Sequence, residues 1–258
     1  MNAKRVQQVV LGSLSIATVV AFWVFLTGTG RVKPIILPPP ADVLDGILDV
    51  YRGYLGVPWA EHFKASIIVM LAGYFTAIAV GVPLGIAIAW WKPIETIFSP
   101  LLAILRPIPP PAWIPLAILW FGIGLGGKAF IVFVAAVVPC IMNSYLAIKS
   151  TPPELIASAR SLGASQRTLL VEVAIPSGLP AILTGMRIGL GTAWATIVAA
   201  ELVVSLAGFG FLIMNGYRNL ESQIVMVGMI AVAVLGYMMN WLFLVIERRL
   251  LPWGDAHD

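Results

Sequence analysis

Long apolar runs separated by short polar ones dominate this chain. A helix needs about 20 apolar residues to cross the hydrocarbon layer of a bilayer. Six stretches approach or exceed that length: 9–26, 65–91, 107–121, 129–147, 187–206 and 224–246. They predict an all-α membrane bundle of six spans within one transmembrane domain, 1–258. Between the first two runs, Val43, Leu44, Ile47, Leu48, Tyr51 and Leu55 alternate with Asp42, Asp45, Asp49 and Arg52. That spacing predicts an amphipathic surface helix lying on the membrane or on the bundle. In the second span Gly73, Gly81 and Gly85 share a face that would admit a close neighbour, and Pro83 is expected to kink the helix. Trp90, Trp91 and Lys92 mark its interfacial end. The third run is interrupted by RPIPPP at 106–111, which predicts a short interfacial helix, an irregular proline turn and a span from about Pro111. Glycines at 122–127 predict a loop, and the stretch 208–223 a polar turn.

The longest break in the apolar pattern is TPPELIASARSLGASQRTLLVEVAIP, residues 151–176. It predicts two short helices and a glycine elbow. Thr151 and Glu154 have the spacing of a capping box, with Pro152 at the first helical position. Leu155, Ile156, Ala159 and Leu162 then fall on one face, and Gly163 suits a C-terminal cap with positive φ. Ser165 is expected to cap a second helix carrying Leu169, Leu170 and Val173, closed by Pro176. Arg160, Gln166, Arg167 and Glu172 keep the segment in water or at an interface. On local physics it is either a plain connector or a surface for a partner.

Composition narrows the class. Of 258 residues, 60% are hydrophobic and 11% charged, against roughly half and a quarter in soluble domains. The net charge of +4 comes without a basic run, which argues for membrane-flanking lysines and arginines and against nucleic acid. Lys4 and Arg5 precede the first run as in a signal peptide, but the run is long and lacks a small-x-small cleavage site, so it is expected to be a retained span. Six spans put Lys4, Arg5, Lys92, Lys149, Arg160, Arg167, Arg187, Arg248 and Arg249 on one side; Arg31, Lys33, Arg52, Lys64, Lys128 and Arg218 lie on the other. The positive-inside rule then places the elbow and both termini in the cytoplasm.

Catalytic chemistry is not written in the chain. There is no phosphate-cradling GxxxxGK[ST], no Ser-His-Asp set and no paired carboxylates. The one cysteine, Cys140, lies in an apolar run, and no Cys/His cluster suggests a metal. His62 and His257 are isolated and expected to be interfacial or tail residues. Two charges sit within apolar runs, where each calls for a partner or a water-filled cavity. Glu201 is either part of a translocation path or outer gate, or a structural carboxylate bonded to a neighbouring helix. Arg106 is either an anion contact in a path, or a side chain that snorkels or bonds the carbonyls freed by the prolines. Trp113, Trp120 and Trp194 would line a passage or serve as belt and packing residues.

The elbow resembles the coupling loop of ABC-importer permeases, whose pattern is Glu-Ala-Ala, three residues, Gly, nine residues, Ile-x-Leu-Pro. The matching positions are Ala157, Ser158 and Ala159, then Gly163, then Val173, Ile175 and Pro176. Ala157 stands where the family has glutamate, and Ser158 replaces the first alanine. LPPPADVL at 37–44, LRPIPPPAWIPLAILWFGIG at 105–124 and GMRIGLGTAWATIVAAEL at 185–202 are similar to the nitrate, sulfonate, taurine and bicarbonate branch. The resemblance implies a type I permease fold with a cytoplasmic coupling helix between spans four and five, in the bacterial inner membrane. It assigns ATPase coupling to Glu154, Ala157, Ser158, Ala159, Arg160, Leu162, Gly163, Ala164 and Ser165, and a candidate path to Arg106, Trp113, Trp194 and Glu201. It implies two ATP-binding subunits, a second permease subunit in a homodimer, and an external solute-binding protein. No cofactor is expected in this chain, since ATP would sit in the partner. The expected solute is a small anion such as nitrate, a sulfonate such as taurine, or an organic acid. An ATP-independent carrier or channel, and a scaffold that recruits a cytoplasmic partner, are the competing readings.

Overall fold

The computed structural model describes residues 3–251, and among these no β-strand occurs. Five helical stretches are long and apolar enough to cross a membrane, and a sixth crossing is available if one bent helix pair is counted as a span. Helix α1 covers Ala3–Gly28, α2 Pro40–Gly53, α3 Trp59–Trp90 and α4 Lys92–Leu105. A 3-10 turn at Pro110–Trp113 leads into α5, Ile114–Phe121, and α6 spans Leu125–Lys149. Next come α7, Pro153–Ser161, the short α8, Gln166–Thr168, a π-helical turn at Leu169–Ala174, and α9, Ile175–Val203. Helices α10, Phe209–Arg218, and α11, Ser222–Leu250, complete the described chain.

The core is the triple contact of α3, α6 and α9. Lipid tails give apolar helices little reason to associate, so close backbone approach at small residues carries the packing. Glycines line both sides of α6. A Cβ on Gly73 would stand 2.5 Å from the Ala129 carbonyl oxygen, and one on Gly85 2.4 Å from that of Ile141. From α9, a Cβ on Gly185 would stand 2.4 Å from the Asn143 Cβ. Met70, Tyr74, Ala77, Val132, Ala136, Leu190, Ala193 and Ile197 fill the space around these contacts. Pro139 lies inside α6 and has no N–H to offer the Ala135 carbonyl one turn back. The Thr192 hydroxyl of α9 donates to that carbonyl at 3.2 Å, so the missing helical bond becomes a bond between helices.

The predicted surface helix is α2. Val43 and Val50 are buried against Leu212 of α10 and Ile224 and Val227 of α11. By contrast, α1 is exposed along its span; its Trp23 indole donates to the Pro38 carbonyl at 3.0 Å.

Four expectations need correction. The stretch 107–121 does not cross by itself: α5 has 8 residues, about 12 Å at 1.5 Å per residue, and α4 meets the 3-10/α5 segment at 90°. The turn expected over 208–223 contains α10, which starts directly after Gly208. Pro176 does not close a helix; it lies in the first turn of α9, just after the π-turn, and the helical path runs 38 residues through it, from Gln166 to Val203. The Thr151–Glu154 capping box does not form: the N-cap is Pro152 and the buried Thr151 hydroxyl has no hydrogen-bond partner. The reason is local, because Pro153 excludes the helical region for the residue before it, so the helix starts one residue later than Thr151 could cap.

Candidate coupling elbow and membrane-embedded polar sites

The elbow is built by local hydrogen bonds, each spanning a few residues. At the end of α7 the Gly163 N–H donates to Arg160 O at 3.0 Å and the Ala164 N–H to Ala159 O at 3.1 Å. This is a Schellman cap, and Gly163 takes the left-handed φ of 86° that it requires. The Ser165 hydroxyl accepts from the Thr168 N–H at 3.2 Å, so the second predicted cap forms. Helix α7 buries none of its residues. Ile156 and Ala159 are half-buried, and the helix rests on the π-turn. Leu155 is 48% exposed and Leu162 89% exposed, with Glu154, Ala157, Ser158 and Arg160 also on the open surface. A short helix held rigidly by its cap thus presents two leucines and a mixed polar rim to whatever faces it.

Behind the elbow lies a polar knot that the sequence did not reveal. Glu95, in the first turn of α4, accepts from the Tyr145 hydroxyl at 2.8 Å, from Lys92 Nζ at 3.1 Å and from Lys149 Nζ at 3.3 Å. Tyr145 and Lys149 belong to the last turns of α6, directly before the elbow. The residues are 50 and 54 positions apart along the chain, so no local pattern signals the contact.

Arg106 is the C-cap of α4 and is exposed. It borders a cavity of about 200 Å³ lined also by Ser99, Leu102, Ile141, Met142 and Tyr145.

 Arg106 is the one charged residue lining this cavity, which lies between α4 and α6.

The other candidate path residues are not gathered there. Trp113 is half-buried and meets Phe130 edge to face at 6.4 Å between ring centres. Trp194 is buried in the core; its indole donates to Val232 O at 3.0 Å, and Gly236 leaves the room it needs. Glu201 is 1% exposed and fully engaged. Its two oxygens accept from the Ser66 hydroxyl at 2.8 and 2.9 Å, and Oε2 accepts from the Gly210 N–H at 3.0 Å. His62, expected at an interface, is fully buried beside it, with Nδ1 3.1 Å from both the N–H and the carbonyl oxygen of Gly208. The correction has a clear cause: α10 folds back over the first turns of α3 and supplies backbone partners that polar side chains inside the bundle need.

The family of binding-protein-dependent transport system inner membrane components matches residues 81–252. This chain belongs to that family. The matched region takes in the last part of α3, α6, the elbow, α9 and α10. Among similar proteins, the taurine transport system permease protein TauC of Escherichia coli (strain K12) is 34% identical over 249 residues, covering 96% of this permease and 90% of TauC. The putative aliphatic sulfonates transport permease protein SsuC of Bacillus subtilis (strain 168) is 31% identical, covering 96% and 88%. The nitrate import permease protein NrtB of Synechocystis sp. is 28% identical, covering 95% and 90%. In fold, the permease is similar to a chain of the MetNI methionine ABC transporter in inward facing conformations, with a TM-score of 0.66 and 20% identity over 74% of this chain and 94% of that one.

At the end of the bundle remote from the elbow, the Tyr54 hydroxyl donates to Glu221 and accepts from Asn219 Nδ2 at 3.0 Å. Burial first, and the Glu221 carboxylate second, push this phenol up to about 12. The bond ties the end of α2 to the turn before α11.

Proposed function

We propose that the permease is the membrane-spanning part of an ATP-driven importer whose elbow docks on a separate ATP-hydrolysing subunit. The observation that carries this reading is α7: a capped, nearly unburied helix with exposed Leu155 and Leu162, set in the fold of this family. Two permease chains would enclose one path, with two ATPase subunits on the cytoplasmic side and a binding protein delivering solute outside. The bacterial inner membrane, with both termini in the cytoplasm, is the setting that fits the lysine and arginine distribution. ATP is bound by the partner, and this chain contributes no hydrolytic residue. The solute is a small anion, for which the taurine, sulfonate and nitrate relatives speak, together with Arg106 at its cavity.

Gly163 gives the test. A Cβ there would meet nothing within 4 Å, so a substitution is opposed by the backbone φ alone. Gly163→Val puts a β-branched residue in the left-handed region at a cost of at least about 1 kcal/mol and turns α7 away. The expected result is normal membrane levels, weak ATPase co-purification and lost ATP-driven uptake. Gly163→Asn should be milder, since Asn tolerates this φ. Ala157→Glu should be tolerated, because that side chain is exposed. Wild-type uptake by Gly163→Val, at matched membrane levels, would reduce the elbow to a connector.

A further inference from the structure

The outer end of α9 grips α10 directly. Gly208 and Gly210 leave no room between the two helices: a Cβ on Gly208 would stand 2.3 Å from Glu201 Cδ, and one on Gly210 2.4 Å from Val198 O and 2.6 Å from Glu201 Cβ. The buried carboxylate of Glu201 sits at the N-terminus of α10, where the helix dipole and the Gly210 N–H favour a negative charge. Ser66 extends the grip to α3, since its hydroxyl donates to Glu201 and accepts from the Phe209 N–H at 3.2 Å. Phe209, fully buried, packs against Trp59 at 5.2 Å and Trp194 at 6.3 Å. The segment 204–208 between the helices is short, and Ser205 in it accepts from Lys128 Nζ of α6 at 3.0 Å. At its other end, α9 continues without a break through the π-turn to the elbow.

We propose that Glu201 is a positioning residue for transport: it locks α10 to α9, so that α10 travels with the core as one body and a displacement of the elbow reaches the outer face. The transport part of this inference rests on the reading of the elbow as an ATPase contact; the lock itself does not. Glu201 serves by geometry at the end of a helix, and does not touch solute.

The lock is tested by spin labels on cysteines replacing Val203, at the end of α9, and Tyr217, in α10, both of which are exposed. Cys140 is fully buried and does not compete for label. In the assembled transporter the two labels should give one narrow distance distribution, the same without nucleotide and with ATP plus vanadate. Glu201→Ala should broaden it and make it depend on nucleotide. Ser66→Ala should broaden it less, and Glu201→Gln should stay close to wild type, because the carboxamide still offers an oxygen to the Gly210 N–H. In proteoliposomes, with taurine, methanesulfonate and nitrate as probes, Glu201→Ala should lower uptake per ATP hydrolysed by about tenfold, within the range of site-to-site coupling. ATPase co-purification should persist, unlike in Gly163→Val; its loss in neither variant would count against the elbow reading and leave the distance result standing. A broad or nucleotide-dependent distance in wild type overturns the lock. So does a parallel fall of uptake and hydrolysis with an unchanged ratio, which is the signature of a merely structural residue. If Glu201→Ala fails to accumulate, Ser66→Ala decides by the same two readouts.

Discussion

Arg106 shows how much a single charge can be asked to do. It caps α4 where the prolines interrupt the helix, and it stands at a small cavity whose other polar groups, Ser99 and Tyr145, are neutral. Among the residues that line this cavity it is the one that carries a charge. Arg106→Gln leaves a shorter, polar side chain and removes the charge, so uptake of an anionic probe should fall about tenfold or more while expression and ATPase co-purification hold. Arg106→Lys should keep part of the activity, since the charge remains and the planar fork is lost. Equal uptake by wild type and the Gln variant would assign Arg106 to helix capping alone. The charge was legible in the sequence because an arginine beside an apolar run is conspicuous. Glu201 was equally conspicuous, but its partners, Ser66 and Gly210, were not. Ser66 lies 135 positions away, and nothing about a serine on a span announces a carboxylate opposite it.

Helix packing in this bundle is decided by glycines, and not by all of them alike. Gly85 faces α6, where a Cβ would overlap the Ile141 carbonyl at 2.4 Å; Gly191 in α9 would present its Cβ to open space. Gly85→Ala should therefore push α3 and α6 apart and destabilise the purified protein by about 1–3 kcal/mol, the usual cost of overpacking. Gly191→Ala should be neutral or stabilising by up to about 1 kcal/mol, from the better helix propensity of alanine. Thermal denaturation in detergent separates the two, and equal midpoints would remove the close-contact argument. The glycine face of α3 was readable because the helical period places Gly73, Gly81 and Gly85 together. Helix α10 was not readable: GFLIMNG carries a glycine near each end, so it scores as a turn, and only its seat on Phe209, Leu212 and the Glu201 carboxylate makes it a helix. The elbow caps divide the same way. Gly163 and Ser165 act within a few residues and were legible, whereas Thr151 lost its role to the proline pair that follows it.

Sidedness follows from the bundle taken together. The elbow and the Lys92–Glu95–Lys149 knot share one end, while α2, α10 and the Tyr54–Glu221 bond occupy the other. Single cysteines placed at Asp45 or Arg218, in a Cys140→Ser background, should react with a membrane-impermeant reagent in intact cells; one at Gln166 should react only after permeabilisation. Labelling of Gln166 from outside would reverse the orientation and remove the elbow from reach of a cytoplasmic ATPase. The π-turn at Leu169–Ala174 has a bearing on this geometry. A π-turn holds about one residue more than an α-turn, and one residue is about 100° of rotation around a helix axis. The direction in which the elbow's leucines point is therefore also a phase angle: with the Gly163 cap unchanged, it is set by the number of residues in this turn. Across related chains, a gain or loss of one residue here would re-aim the same elbow toward a different part of its partner, leaving both the elbow and the membrane core intact.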